Sequence, residues 1–283
     1  MMKKTDLTKI YKIGLLGSHI HFSLSPKIFT HPKIQAIFPN NFALINLNSE
    51  MEWKNFWENR AAHFDYLCVT TPWKRKVYEL SLQNISPEVA HSKTANWICL
   101  QDTKYSALNT DYFAFQLWWN NLPTLPENIY YMGYGASSFT FLSMLKNEFD
   151  KNPNYKPKLY IVTRDVAAKT ISGCYDILKA EVINYSMFYE QKINHQTLLV
   201  NGSFYGQKEA FPIKLTKMFE QALIWDLNYA LPYSYVSFYQ KTGFEFLVHQ
   251  ALCFLTSQNI LKPDQFPIYQ KELIASIQGK EAP

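Results

Sequence analysis

Short apolar runs alternate with helix-start signals along this chain, and no other feature limits its fold as much. Residues 11–16 read as a strand stopping at Gly17. Ser25-Pro26 then starts a helix to about residue 37, with serine as N-cap and proline in the first helical position. Residues 42–47 form the next strand, and Ser49 with Glu52 makes a capping box for a helix through Asn59. Residues 66–70 are a third strand, and Pro72 opens a helix to about residue 82. Residues 96–100 and 105–108 read as a hairpin around Asp102-Thr103-Lys104, followed by a helix over 111–120. Leu122-Pro123-Thr124-Leu125-Pro126 has the composition of a linker. Beyond it, strands at 129–132, 159–163, 197–200 and 223–225 alternate with helical stretches, and helices over 244–255 and 269–277 close the chain. Strands separated by helices pair in parallel, so the predicted class is α/β.

Composition agrees with a packed core and excludes several classes. Hydrophobic residues make up 47% of the 283 positions and charged residues 18%, which argues against disorder. The 19 Tyr, 20 Phe and 7 Trp read as core filling rather than a stacking platform for bases. The net charge is +5, but its 28 Lys and Arg form no block, so no nucleic-acid footprint is expected. A modest positive excess favours anionic small ligands. Cys68, Cys99, Cys174 and Cys253 are far apart in apolar surroundings, which reads as reduced thiols in a cytoplasmic protein. The histidines lack metal-ligand spacing, so no metal is expected. No signal segment or bilayer-spanning run is read, so no membrane partner is expected.

The chemistry gathers at strand-to-helix junctions. Val69-Thr70-Thr71-Pro72-Trp73-Lys74 puts a lysine just past a strand's carboxyl end, where open α/β sheets bind ligands. Lys74 also sits in a helix's first turn, the wrong end for the dipole. Asn109-Thr110-Asp111 offers a carboxylate from a similar position, and a lysine with an aspartate can exchange a proton with a hydroxyl. Asp111 alone is equally explained by the helix dipole. Ser23-Leu24-Ser25 sets two hydroxyls before a helix; capping accounts for one of them and a bound carboxylate for both. In Thr70-Thr71-Pro72, Thr71 alone suffices as a cap. Gln250 interrupts the apolar face of the late helix.

Gly133-x-Gly135, between a strand and a helix, has the form of a dinucleotide turn. Arg164 ends the following strand, where an arginine accepts the 2′-phosphate of NADP; Asp165 beside it blurs that choice, and a solvated strand-end charge is an equal reading.

In order and spacing these segments resemble the shikimate dehydrogenase family, nearly end to end. The residues carrying the resemblance are Gly17 to Pro26, Val69 to Lys74, Ala95-Asn96, Asn109-Thr110-Asp111, Gly133 to Ser138, Thr163-Arg164-Asp165, Asn201-Gly202-Ser203, Asp226 to Tyr229, and Gly243 to Ala251. The resemblance implies two α/β domains: a substrate domain with a mainly parallel sheet at 1–110 plus 243–283, and a Rossmann-type domain at 111–242. It implies reversible NADP-linked reduction of 3-dehydroshikimate to shikimate, with NAD as a possible substitute. Lys74 and Asp111 would be catalytic. Ser23, Ser25 and Tyr229 would hold the substrate carboxylate, and Thr70, Asn96 and Gln250 its ring hydroxyls. Gly133, Gly135, Ala136, Ser137 and Arg164 would bind the cofactor. The partner is thus a hydroxylated cyclohexene carboxylate, and the chain a monomer or homodimer.

The departures from the family pattern are His19 and Phe22 in the first loop, Trp97 after Asn96, Thr163 before Arg164, Ala168, and about seven extra residues between the phosphate loop and Arg164. Glu245 stands at the second glycine of a Gly-x-Gly near the nicotinamide, where a carboxylate is expected to clash or repel. They motivate two alternatives: a related dehydrogenase acting on quinate or an aminoshikimate, or a binding or regulatory homologue with impaired chemistry.

Overall fold

The computed structural model describes residues 9–18, 20–80, 84–101, 104–166, 178–203, 213–229 and 239–278. They form two units, one from residues 1–114 and 247–283, the other from 115–246. The divisions fall inside helices, one turn beyond each expected boundary. Leu122 to Pro126 therefore lies within the second unit and is not the linker its prolines suggested.

The first unit is built on a six-stranded sheet of order β2-β1-β3-β5-β6-β4. Its strands are β1 Tyr11–Gly17, β2 Asn40–Asn46, β3 Tyr66–Val69, β4 Asn84–Ile85, β5 Trp97–Gln101 and β6 Lys104–Leu108. β1 pairs in parallel with β2 and β3, whereas β5 runs antiparallel to both β3 and β6. The hairpin read from the sequence is β5–β6; Asp102 and Thr103 at its tip lie outside the described residues.

Two helix expectations need correction. The helix expected over 25–37 is two, α1 Ser25–Phe29 and α2 Pro32–Ile37. Pro32 forces His31 into an extended conformation (ψ 134°), which ends the first helix before it. Leu24 occupies the N-cap position of α1 and Ser25 is its first helical residue, so Ser25 is not the cap. After α3 Glu50–Asn59, whose Ser49–Glu52 capping box is present, α4 spans only Lys74–Glu79. Pro72 lies in the preceding turn, joined to Thr71 by a cis peptide bond. Trp73 stands at the N-cap, so Thr71 is not the cap either. Two more helices follow, α5 Pro87–Ser92 and α6 Thr110–Asn120.

The second unit holds a parallel sheet of order β12-β11-β10-β7-β8-β9. Its strands are β7 Asn128–Met132, β8 Lys158–Thr163, β9 Glu181–Asn184, β10 Thr197–Asn201, β11 Leu223–Asp226 and β12 Tyr239–Thr242. Read from the other edge the order is 3-2-1-4-5-6, with the direction of progress reversing between β7 and β10, where such sheets bind ligands. Its helices are α7 Ala136–Lys151, α8 Tyr185–Tyr189 and α9 Ile213–Phe219. The chain closes with α10 Gly243–Ser257 and α11 Phe266–Ile277.

The aromatics fill the cores. Trp97, Trp118, Trp225, Tyr131 and eight phenylalanines head the fully buried side chains. In the first unit Trp53 stacks on Trp73 (4.9 Å) on one side of the sheet, and Trp97 stacks on Phe254 of α10 (3.7 Å). Among the described residues no helix is long and apolar enough to cross a membrane, and no group of three His, Cys, Asp or Glu is arranged for a metal.

Candidate active site

The loop after β3 is tied down before it delivers Lys74. Thr70 N–H donates to Leu16 O (2.8 Å), Ser18 N–H to Thr71 O (3.1 Å) and Trp73 N–H to Thr70 O (2.9 Å). The Trp73 indole donates to Leu47 O (2.9 Å) and is buried against Trp53. Lys74 is the next residue, so its backbone is fixed by an anchored tryptophan.

Lys74 Nζ lies 2.5 Å from Asp111 Oδ2. The aspartate is 1% exposed and the lysine side chain 14%. Asn96, just before β5, holds the other side: its Nδ2 donates to Asp111 Oδ1 (2.8 Å) and Thr110 Oγ1 (2.9 Å), and its Oδ1 accepts from Thr110 N–H (2.7 Å). Both Asp111 oxygens are thus engaged, and the carboxylate sits in the first turn of α6, where the helix dipole favours it. Asn109 braces this helix start, donating to Ser92 Oγ and to both oxygens of Thr94. An ammonium carries three hydrogens and Asp111 takes one, which leaves donors for a ligand oxygen.

Cys68, on β3, lies within electrostatic reach of this pair. Burial pushes its thiol up to about 12, with Lys74 opposing the shift and Asp111 adding to it. The sequence reading missed Cys68 as a neighbour; apolar flanks on both sides gave no sign of it. It also missed Thr110 as a partner of Asn96, although Asn-Thr-Asp placed it beside Asp111.

The serine pair is a second cluster. Ser23 Oγ donates to Ser25 Oγ (3.2 Å) and accepts from Ser25 N–H (3.2 Å). Ser25 is buried and Ser23 half-buried. Gly17 lets this loop close on β3: a Cβ there would lie 2.4 Å from both Thr70 Cγ2 and Ile20 Cγ2. Gln250 is half-buried on α10, and Tyr229 follows β11 in the other unit. His19 and Ala168 lie outside the described residues.

In the second unit the turn after β7 is tight at its first glycine and open at its second. Gly133 adopts φ 113°, and a Cβ there would meet Gly202 O at 2.8 Å, so only glycine fits. A Cβ on Gly135 would meet nothing within 4 Å, which leaves that backbone open to a ligand. Ala136 and Ser137 begin α7 behind it, and Arg164 directly follows β8, exposed beside Asp165. At the carboxyl ends of β10 and β11, Asn201 Nδ2 donates to Asp226 Oδ1 (2.9 Å), while Ser203 Oγ donates to Asn201 Oδ1 (2.7 Å).

Glu245 is held at the start of its own helix. Thr242 N–H donates to its Oε2 (3.1 Å), and its own N–H donates to Thr242 Oγ1 (3.4 Å). That reciprocal pattern is a capping box on α10. Lys241 Nζ lies 3.5 Å from its Oε1. The carboxylate is bent back onto its own helix start and its charge is met. Gly243 before it is required: a Cβ there would sit 2.1 Å from Leu227 O.

No family model matches the chain. It is 25% identical over 228 residues to the shikimate dehydrogenase (NADP(+)) of Clostridium botulinum strain Loch Maree, covering 78% of this chain and 83% of the relative. The corresponding enzyme of Clostridium beijerinckii is 27% identical over 194 residues, 66% of each chain. Over most of its length the chain is therefore similar to shikimate dehydrogenases. Solved structures of the family share its fold. Shikimate dehydrogenase 1 of Peptoclostridium difficile superposes with TM-score 0.75 at 20% identity, covering 94% of this chain and 99% of that one. The Thermus thermophilus enzyme in complex with NADP(H) and shikimate gives 0.70 at 18% identity, covering 93% and 100%.

Two departures from the family pattern now have structural explanations. Trp97 is a core residue, 1% exposed and stacked on Phe254. Glu245 caps a helix.

Proposed function

We propose that this protein is an NADP-linked oxidoreductase interconverting 3-dehydroshikimate and shikimate. The observation that carries the reading is the Lys74–Asp111 contact of 2.5 Å, held in a buried cradle by Asn96 and Thr110. Its NADP-dependent relatives in the family support the class of reaction and the cofactor.

The residues after β7 fit a dinucleotide. Gly135 has room on its ligand side, and the first N–H groups of the 16-residue α7 lie behind it. Gly133, Gly135, Ala136 and Ser137 would hold the diphosphate, and Arg164 the 2′-phosphate. When bound, NADP supplies the hydride donor and acceptor.

The protein's own part is to hold the substrate and manage one proton. In the reduction direction Lys74 Nζ gives a proton to the carbonyl oxygen as negative charge develops there. Asp111 Oδ2 keeps the ammonium aimed, and Asn96 keeps Asp111 from turning. In the oxidation direction the neutral amine takes the hydroxyl proton at the same atom. Ser23 and Ser25, with Tyr229, would bind the carboxylate; Thr70, Asn96 and Gln250 would bind the ring hydroxyls. Positioning of this kind and a matched proton donor each lower the barrier.

Trp97 in the core and Glu245 in a helix cap each remove one motive for the quinate and regulatory readings, which still rest on the altered first loop and the changed cofactor motif. The test is a set of initial rates with shikimate and with quinate, each with NADP+ and with NAD+. The shikimate–NADP+ pair is expected to be fastest. A faster quinate or NAD+ reaction overturns the assignment, and no turnover with any pair returns the regulatory reading.

A further inference from the structure

Tyr131 is fully buried near the end of β7, two residues before the glycine turn, with its ring packed against Phe141 of α7 (5.2 Å). Phenylalanine would fill that space equally. A buried phenol needs a partner, and this one donates to Ser137 Oγ at 2.7 Å. The side chain also dictates its other neighbour: a Cβ on Gly202 would lie 2.3 Å from its hydroxyl and 2.7 Å from the ring carbon that bears it, so the loop after β10 must carry glycine there.

The two serines at the start of α7 differ in what they have left to give. Ser138 is folded onto the turn: Gly135 N–H donates to its Oγ (3.2 Å) and its hydroxyl donates to Gly135 O (2.7 Å). Its one hydrogen is spent inside the protein. Ser137 Oγ accepts from Tyr131, so its own hydrogen remains to be donated. Ser137 is half-buried in the second position of α7, two residues beyond the open backbone of Gly135.

We propose that Tyr131 is a positioning residue for cofactor binding. Its phenol fixes the Ser137 hydroxyl so that Ser137, and not Ser138, is the side-chain donor to the dinucleotide's diphosphate. This rests on the dinucleotide reading of the same turn and adds to it a buried residue outside the glycine loop. A neutral hydroxyl donating to a phosphate oxygen is a charge-assisted bond, stronger than one between neutral groups.

The test is the dissociation constant of NADP+, measured by calorimetry on the full-length protein. Ser137→Ala, at a half-buried position, should raise it about tenfold. Tyr131→Phe should raise it about threefold or more, with the melting temperature lowered by no more than the few degrees that one lost hydrogen bond costs. In the Ser137→Ala background, Tyr131→Phe should add less than about twofold, because the proposed effect of the phenol on the cofactor passes through that hydroxyl. Ser137→Thr, which keeps the hydroxyl, should bind more tightly than Ser137→Ala. Wild-type affinity in Ser137→Ala overturns the inference while leaving the dinucleotide reading intact. Independent effects of the two substitutions overturn the positioning role. Wild-type protein that binds neither NADP+ nor NAD+ overturns the dinucleotide reading and the inference with it.

Discussion

Lys74 begins a helix, where a cation opposes the positive end of the dipole. Asp111 offsets that placement, and Asn96 and Thr110 hold Asp111 in turn. Removing the aspartate's charge should therefore disturb the lysine more than the fold. Asp111→Asn keeps the shape and should lower turnover about 100-fold, with a smaller change in KM for shikimate. Equal losses spread over cofactor affinity and melting temperature would mean that Asp111 is only structural. Glu245 supplies the opposite case. Its carboxylate caps α10, so Thr242→Ala should cost about 1 kcal/mol in a urea titration. Glu245→Gln keeps a capping oxygen and loses only the partly exposed ion pair with Lys241, so it should cost less. If Glu245→Gln instead sharply improved NADP+ affinity, the carboxylate would be facing the cofactor after all.

Among the elements, those that carry the candidate site were the easier ones to read. Lys74, Asp111 and Gly133 each stand at a strand-to-helix junction, and junctions carry local signals: a proline, a glycine, an apolar run that stops. The elements that escaped lack such signals. β12 reads Tyr-Gln-Lys-Thr, polar on both faces, and only its pairing with β11 makes it a strand. The break between α1 and α2 was visible in Pro32, but the apolar residues on either side suggested one helix. Trp97 looked like a change in the substrate site because it follows Asn96. Successive residues at a strand's start face opposite ways, so Asn96 meets Asp111 while Trp97 enters the core. Tertiary partners such as Asn109 with Thr94 leave no trace in local sequence. Close approaches between elements are also measurable. Gly243→Ala would press a methyl group against the Leu227 carbonyl, a backbone group that cannot step aside. It should cost about 1–3 kcal/mol, seen as a lower urea midpoint, whereas Gly135→Ala should fold normally and lose cofactor affinity. Similar stability losses in the two would contradict that distinction.

Across the whole molecule, stability should depend on pH through groups that burial keeps protonated. The thiols of Cys68, Cys99 and Cys253 are each pushed up to about 12 from 9.0 by burial. The phenols of Tyr66, Tyr130 and Tyr155 are raised from 10.0 for the same reason. The unfolded chain loses these protons first, so it binds fewer than the folded chain above the ordinary values. Stability should thus be flat with respect to these groups near neutrality and fall as pH rises from about 9 toward 12. Urea midpoints at pH 7, 9 and 10 check this, and a midpoint rising across that range would contradict it. The similarity to shikimate dehydrogenases and the Lys74 cradle lead to one proposed claim, that a lysine held by Asp111 moves the substrate proton. The most direct test is single-turnover oxidation of shikimate by NADP+ in wild type and Lys74→Ala, with shikimate affinity measured alongside. The expected result is a loss of roughly 100-fold or more in rate with affinity largely kept. An unchanged rate would remove Lys74 from the chemistry and the central claim with it.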